Sequence, residues 1–141
     1  VIYVRQMKET DRRSMMPEIR ALEAKCFPDD EPGTLSGRMI LALDGDGVDF
    51  RLIGFANIIE RNGFIERVAV DENYRGRGLG ARMVRSLVRA FRRVNGLRKR
   101  VRTYAAADNM PSVRMFLNSG FRATKQSRSS KWVNLLNEAK K

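Results

Sequence analysis

The stretch Tyr74-Arg75-Gly76-Arg77-Gly78-Leu79-Gly80-Ala81-Arg82-Met83 sets three glycines on alternate positions with arginines between them, after an apolar run and before an amphipathic one. Glycines there let backbone amides face outward where a helix begins. Unpaired N–H groups and the helix dipole then stabilise a phosphate. The chemistry that fits is the grip of a diphosphate, with the guanidiniums of Arg75 and Arg77 reaching for the same oxygens. The competing reading is a tight turn without a ligand; the strand before and the helix after favour anion binding. Two nucleotide readings fall short. Gly76 to Ala81 satisfies G-x-G-x-x-A, but the dinucleotide fingerprint needs a ribose-binding acid about 20 residues on, and no acid follows before Asp108. The Lys-Ser/Thr ending of a triphosphate loop is missing as well.

Charge singles out the same region. Residues 1 to 72 hold 10 basic and 14 acidic side chains, whereas residues 73 to 141 hold 18 basic and 2 acidic. A polyanion is the natural partner of the second half: a phosphorylated cofactor, a nucleic acid or an acidic surface. The other reading is a solvated basic face that aids solubility. With no histidine in 141 residues, the usual zinc sites and histidine triads are unavailable, and the lone Cys26 precludes an intramolecular disulfide. No metal site is expected. No apolar run is long enough for a bilayer, and no secretory block occupies the first thirty residues, so a cytoplasmic protein without membrane contact is expected.

The elements that must position the loop follow from periodicity. Residues 1–7 read as a strand. Residues 13–27 read as a helix with a stripe of Met16, Ile19, Leu22, Ala24 and Phe27, and with Pro17 in its first turn. Residues 28–37 read as loop with at most one short helical turn. Residues 38–47, 50–60 and 64–70 read as three antiparallel strands joined by glycine turns. Leu79, Met83, Leu87, Ala90, Phe91 and Val94 recur at helical spacing, with Arg82, Arg85, Arg89, Arg92 and Arg93 on the other side, in a helix from about Gly78 to Val94. A strand over 99–107, a short helix over 109–120 and a closing pair of strands over 121–127 and 131–138 complete a single domain. The strand, glycine loop, helix and strand form a βαβ unit, which favours parallel pairing across the crossover.

With these elements in order, Val68 to Val84 resembles the pyrophosphate signature R/Q-x-x-G-x-G/A of the GNAT superfamily of acetyl-coenzyme A-dependent N-acetyltransferases, with Arg75, Gly78 and Gly80 in its defining places. Asn109 to Phe121 is similar to that family's N-x-x-A-x-x-x-Y-x-x-x-G-F segment through Asn109, Ser112, Phe116, Gly120 and Phe121. The resemblance implies an α/β fold: a mixed, splayed sheet of about seven strands with helices on both faces. Its element order is strand, helix, short helix, three strands, helix, strand, helix, two strands. It implies acetyl-CoA as cofactor, with pantetheine on the backbone of Val68 and Val70, and the diphosphate on amides of Arg75, Gly76, Gly78, Gly80 and Ala81. The resemblance also implies a phosphate contact from the Arg77 side chain, and Ala69, Leu79, Asn109, Ser112 and Phe116 complete the cofactor set. Asn109 reads equally as a helix N-cap.

The activity implied is attack of a neutral primary amine on the thioester in a ternary complex, which needs a proton acceptor and a donor to the developing oxyanion. The N–H near Val68 is the donor, and Glu66 is the first candidate base. The alternative for Glu66 is an exposed strand carboxylate paired with Arg67 or a neighbour. Glu31, in an acidic loop similar to that of arylamine acetyltransferases, is second, against a solvated turn. One departure matters: the family's general-acid tyrosine is Phe116 here. Thiolate is a tolerable leaving group with a thiol pKa of about 8 to 9, and Tyr104 stands as a substitute acid or as a packed aromatic. Trp132 and Phe27 read as core. The acceptor is left open between a small amine, a protein amine and a tRNA-linked amine. Arg82, Arg85, Arg89 and Arg92 form a face for nucleic acid, and a homodimer is compatible with the chain. The alternative function is a catalytically weak or inactive acyl-CoA-binding domain acting as a nucleic-acid-associated or structural module.

Overall fold

The computed structural model describes residues 1–124 and 131–139. Seven strands form one sheet in the order β1-β2-β3-β4-β5-β7-β6: β1 Ile2–Gln6, β2 Arg38–Gly45, β3 Phe50–Ile59, β4 Phe64–Val70, β5 Val101–Ala106, β6 Arg122–Ala123 and β7 Trp132–Asn137. All neighbours run antiparallel except β4 and β5. The parallel pair is the one bridged by the glycine loop and its helix, as the crossover requires. Part of the expected closing strand over 121–127, residues 125–127, lies outside the described residues.

Three α-helices cover the sheet: α1 Glu9–Cys26, α2 Leu79–Asn95 and α3 Met110–Asn118. Alternation along β2 divides the core. Ile40 and Ala42 join Leu79, Met83, Leu87 and Phe91 of α2 and Val113 and Phe116 of α3, whereas Met39, Leu41 and Leu43 join Ile19 and Leu22 of α1. Helices therefore lie on both faces.

Three local expectations are corrected. The first helix starts at Glu9, so Pro17 lies within it. Its start is set by Asp11, which accepts from the Lys8 N–H at 2.9 Å and from Arg5 at 2.8 Å. Ala24 of the expected stripe is exposed, and Glu23 is buried instead. No helical turn forms in residues 28–37. That segment is fastened to β4, where the ladder slips: Asn57 pairs with Arg67 and Ile58 with Ile65, leaving Glu66 without a partner across the strand. Such a bulge turns two successive side chains to one side, here towards the loop.

Candidate acyl-carrier cleft and acceptor loop

β4 and β5 share one paired position, Phe64 with Arg102, supported by the Thr103 hydroxyl donating to Ile65 O at 3.0 Å. Beyond it they diverge. The Asp71 N–H donates to Ile53 O at 2.8 Å, and alternate residues of an antiparallel ladder exchange bonds with the partner. Arg67 and Ala69 therefore turn their backbone groups to β3, and Val68 and Val70 turn theirs into the gap. The Val70 carbonyl accepts there from Arg75 Nε at 3.1 Å.

The gap continues into a cleft of about 640 Å³ whose walls include Val68, Val70, Arg75, Gly76, Gly78, Leu79, Gly80 and Ala81 on one side and Asn109 and Ser112 on the other. Gly76 and Gly78 have φ of +80° and +74°, a region that glycine enters at little cost. A Cβ built at either would meet no atom within 4 Å, so the space over this turn is open. Gly78 is the N-cap of α2, and the helix's first N–H groups have no intrahelical partner. The first described turn of the helix carries no acid, which leaves the dipole unopposed for an anion. Asn109 caps α3, its Oδ1 accepting from the Ser112 N–H at 3.3 Å.

Three expected cofactor residues lie elsewhere. Ala69 is buried in the core beneath α1. Arg77 stacks over the Tyr74 ring, 5.0 Å from its centroid, and donates to Asn73 O. Phe116 is buried against Phe121 with ring centroids 5.3 Å apart. The cleft also uses Cys26, Pro111, Arg114 and Met115, which periodicity does not single out because they belong to the ends and exposed sides of helices, and Phe27, which the helical stripe assigns to the core. Phe27 is thus a wall residue. Tyr104 and Trp132 stack edge to face at 5.3 Å, about half exposed, on the outer face of β5 and β7, so Trp132 is not core.

The acidic loop is stapled twice. Glu66 accepts from the Leu35 N–H at 2.8 Å, the Thr34 N–H at 3.0 Å, the Thr34 hydroxyl and Asn57 Nδ2 at 3.0 Å. Buried Leu35 is held at φ +50°, an uncommon conformation for a non-glycine residue. Arg67 reaches Glu23 at 3.2 Å, Asp30 at 3.5 Å and the Glu31 carbonyl at 2.7 Å, with its guanidinium 4.5 Å from the Phe27 ring centroid. Glu31 itself is exposed, and its carboxylate makes no ion pair or hydrogen bond among the described residues.

Burial pushes the Glu66 carboxyl up, but the hydrogen bonds from Asn57, Thr34 and Leu35 outweigh it and hold the group below its ordinary value of 4.5. The sign follows: a depressed acid stabilises the fold fully above its unfolded pKa, and that contribution is lost as pH falls through the folded value. Thermal unfolding followed from about pH 6 to about pH 3 is expected to show wild type losing more stability below 4.5 than Glu66→Gln loses over the same window. Equal slopes would remove Glu66 from the acid transition.

A sequence profile of the acetyltransferase (GNAT) family matches residues 2–121. The chain belongs to that family. Solved structures agree on the GNAT fold. The NatC complex bound to Gag peptide and CoA contains a chain 17% identical, with a TM-score of 0.74 and 99% of each chain covered. NAA60 of Arabidopsis thaliana in complex with acetyl-CoA is 17% identical, with a TM-score of 0.71 over 96% of this chain and 97% of that one. The putative acetyltransferase yncA of Salmonella typhimurium, with its cofactor acetyl-CoA, is 16% identical, with a TM-score of 0.67 over 100% of this chain and 95% of that one. No curated protein matches the chain.

Proposed function

We propose that this GNAT domain transfers an acetyl group from acetyl-CoA to a primary amine. The observation that carries the proposal is the cleft between the diverging strands, open along the Val68 and Val70 backbone and ending on the Gly76–Gly78 turn, over which no side chain projects. The Gly78, Leu79 and Gly80 amides hold the diphosphate with Arg75, and Asn109 and Ser112 close the opposite wall. The bound group supplies an acyl chain activated as a thioester. Val68 N–H meets the negative charge that builds on the acyl oxygen.

Proton acceptance we assign to Glu31. An alkylammonium has a pKa of about 10, so a basic group must be free to take its proton. Glu66 has its acceptor positions engaged by four donors and acts as a positioning residue for the loop. Glu31 lies on that loop with its carboxylate unengaged and its carbonyl fixed by Arg67. The second reading, an acyl-CoA-binding module without turnover, is favoured by Phe116, which offers no hydroxyl to the leaving thiolate.

Calorimetric titration with acetyl-CoA, followed by thiol release against small amines, peptide N-termini and aminoacyl-tRNA, tests both. Binding with release is expected, and Glu31→Gln lowers kcat/KM by about 10²-fold while acetyl-CoA affinity stays unchanged. Binding without release for every acceptor would establish the second reading. Unchanged kcat/KM in Glu31→Gln would return the proton to another group.

A further inference from the structure

The two halves of the chain use their charges differently. Among the described residues, every ion pair except Arg122 with Glu138 lies within residues 1–72. On the outer face of α2, Arg82, Arg85, Arg89 and Arg93 are exposed and make no ion pair or side-chain hydrogen bond among the described residues. Arg92, expected in this row, is turned inward. It donates to Lys99 O at 2.9 Å, Asn137 O at 3.0 Å and Asn137 Oδ1 at 2.8 Å. Arg93 takes its place: at about 100° per residue, Arg82, Arg89 and Arg93 fall within roughly 40° of one another, with Arg85 about 40° from Arg89. Arg98, Lys99 and Arg100, also exposed, follow the helix end in the chain.

We infer that this face binds the phosphate backbone of a double-stranded nucleic acid. The helix of 17 residues is about 25 Å long, and its arginines stand at the roughly 5 to 6 Å intervals of helical neighbours, so the row tracks a run of phosphates. Arginine forks suit phosphate oxygens. A single strand would call for aromatic stacking platforms, and the row contains none. A protein partner would call for an interface core depleted of charge and carrying apolar anchors. Two exposed apolar side chains near the helix end, Val94 and Leu97, do not make such a core among the arginines. Membrane insertion is denied because the apolar stripe of α2 is buried in the core.

The test is fluorescence anisotropy of the full chain with labelled RNA and DNA duplexes of about 20 base pairs, over about 20 to 300 mM salt. At least one duplex is expected to bind, with log affinity falling linearly against log salt by about 0.9 per phosphate contact. The triple variant Arg85→Gln, Arg89→Gln, Arg93→Gln is expected to lose roughly tenfold or more near 0.1 M salt and to flatten the slope by about 2 to 3. Its calorimetric affinity for acetyl-CoA is expected to match wild type, because these three residues lie outside the cleft. No binding of either duplex at about 20 mM salt, or an unchanged slope in the triple variant, would overturn the inference. So would poly-glutamate or phosphatidylserine vesicles competing as well as duplex at equal charge.

Discussion

Gly78→Val is expected to weaken acetyl-CoA binding by roughly 10²-fold while the sheet and its helices stay folded. At φ +74° a side chain costs about 1 to 2 kcal/mol, and a β-branched one is the poorest fit. No atom lies within 4 Å of the added Cβ, so the penalty is backbone strain and not collision. The turn has two ways to respond, and both harm the ligand. Either the peptide rotates and withdraws its N–H, or it stays and places methyl groups in the space over the turn. Losing one hydrogen bond to a charged group, at about 1.5 to 3 kcal/mol, accounts for the magnitude. Calorimetric titration beside thermal unfolding checks it. Gly78→Asn separates the causes, because asparagine tolerates the left-handed region yet still fills the space. Unchanged affinity in Gly78→Val would remove the turn from the carrier's grip.

Arg67→Ala is expected to cost about 2 to 3 kcal/mol of stability and to lower kcat/KM at the same time. Glu23 is 4% exposed and is held by three groups, Arg67, Arg20 and the Gly33 N–H. Withdrawing one partner from a buried carboxylate is strongly destabilising, here softened because two partners remain. The same change frees the Glu31 carbonyl and uncovers the Phe27 ring. Arg67→Lys retains the charge but cannot serve Glu23 and Glu31 with one planar fork, so it is expected to fall between. Denaturant unfolding and steady-state kinetics on the three proteins provide the check. Loss of stability with unaltered turnover would separate the loop from the reaction.

What was legible in the sequence was local. The Gly76-Arg77-Gly78 turn, the three-and-four spacing of Leu79, Met83 and Leu87, and the parallel crossover each depend on neighbouring residues and appear as expected. What was hidden depends on distant contacts. Glu66 reads as one polar residue in a strand, because nothing nearby tells of Thr34 and Leu35, more than thirty residues earlier in the chain. Glu23 falls on the buried side of α1 because Arg67 and Arg20 neutralise it, which no apolar stripe reveals. Arg92 and Arg93 are indistinguishable by type, and the carbonyl and side chain of Asn137 decide which one turns inward. The start of α1 lies ahead of the apolar stripe because Asp11, which no periodicity marks, organises its first turn through the Lys8 N–H and Arg5.

The slip at Glu66 carries a consequence for how this protein tolerates change. Excising that residue would bring Ile65 and Arg67 into ordinary succession opposite Ile58 and Asn57, so β-pairing would heal instead of breaking. Glu66 is therefore surplus to the strand pairing: the sheet would persist without it, and what would vanish is the tether holding Thr34 and Leu35 in place.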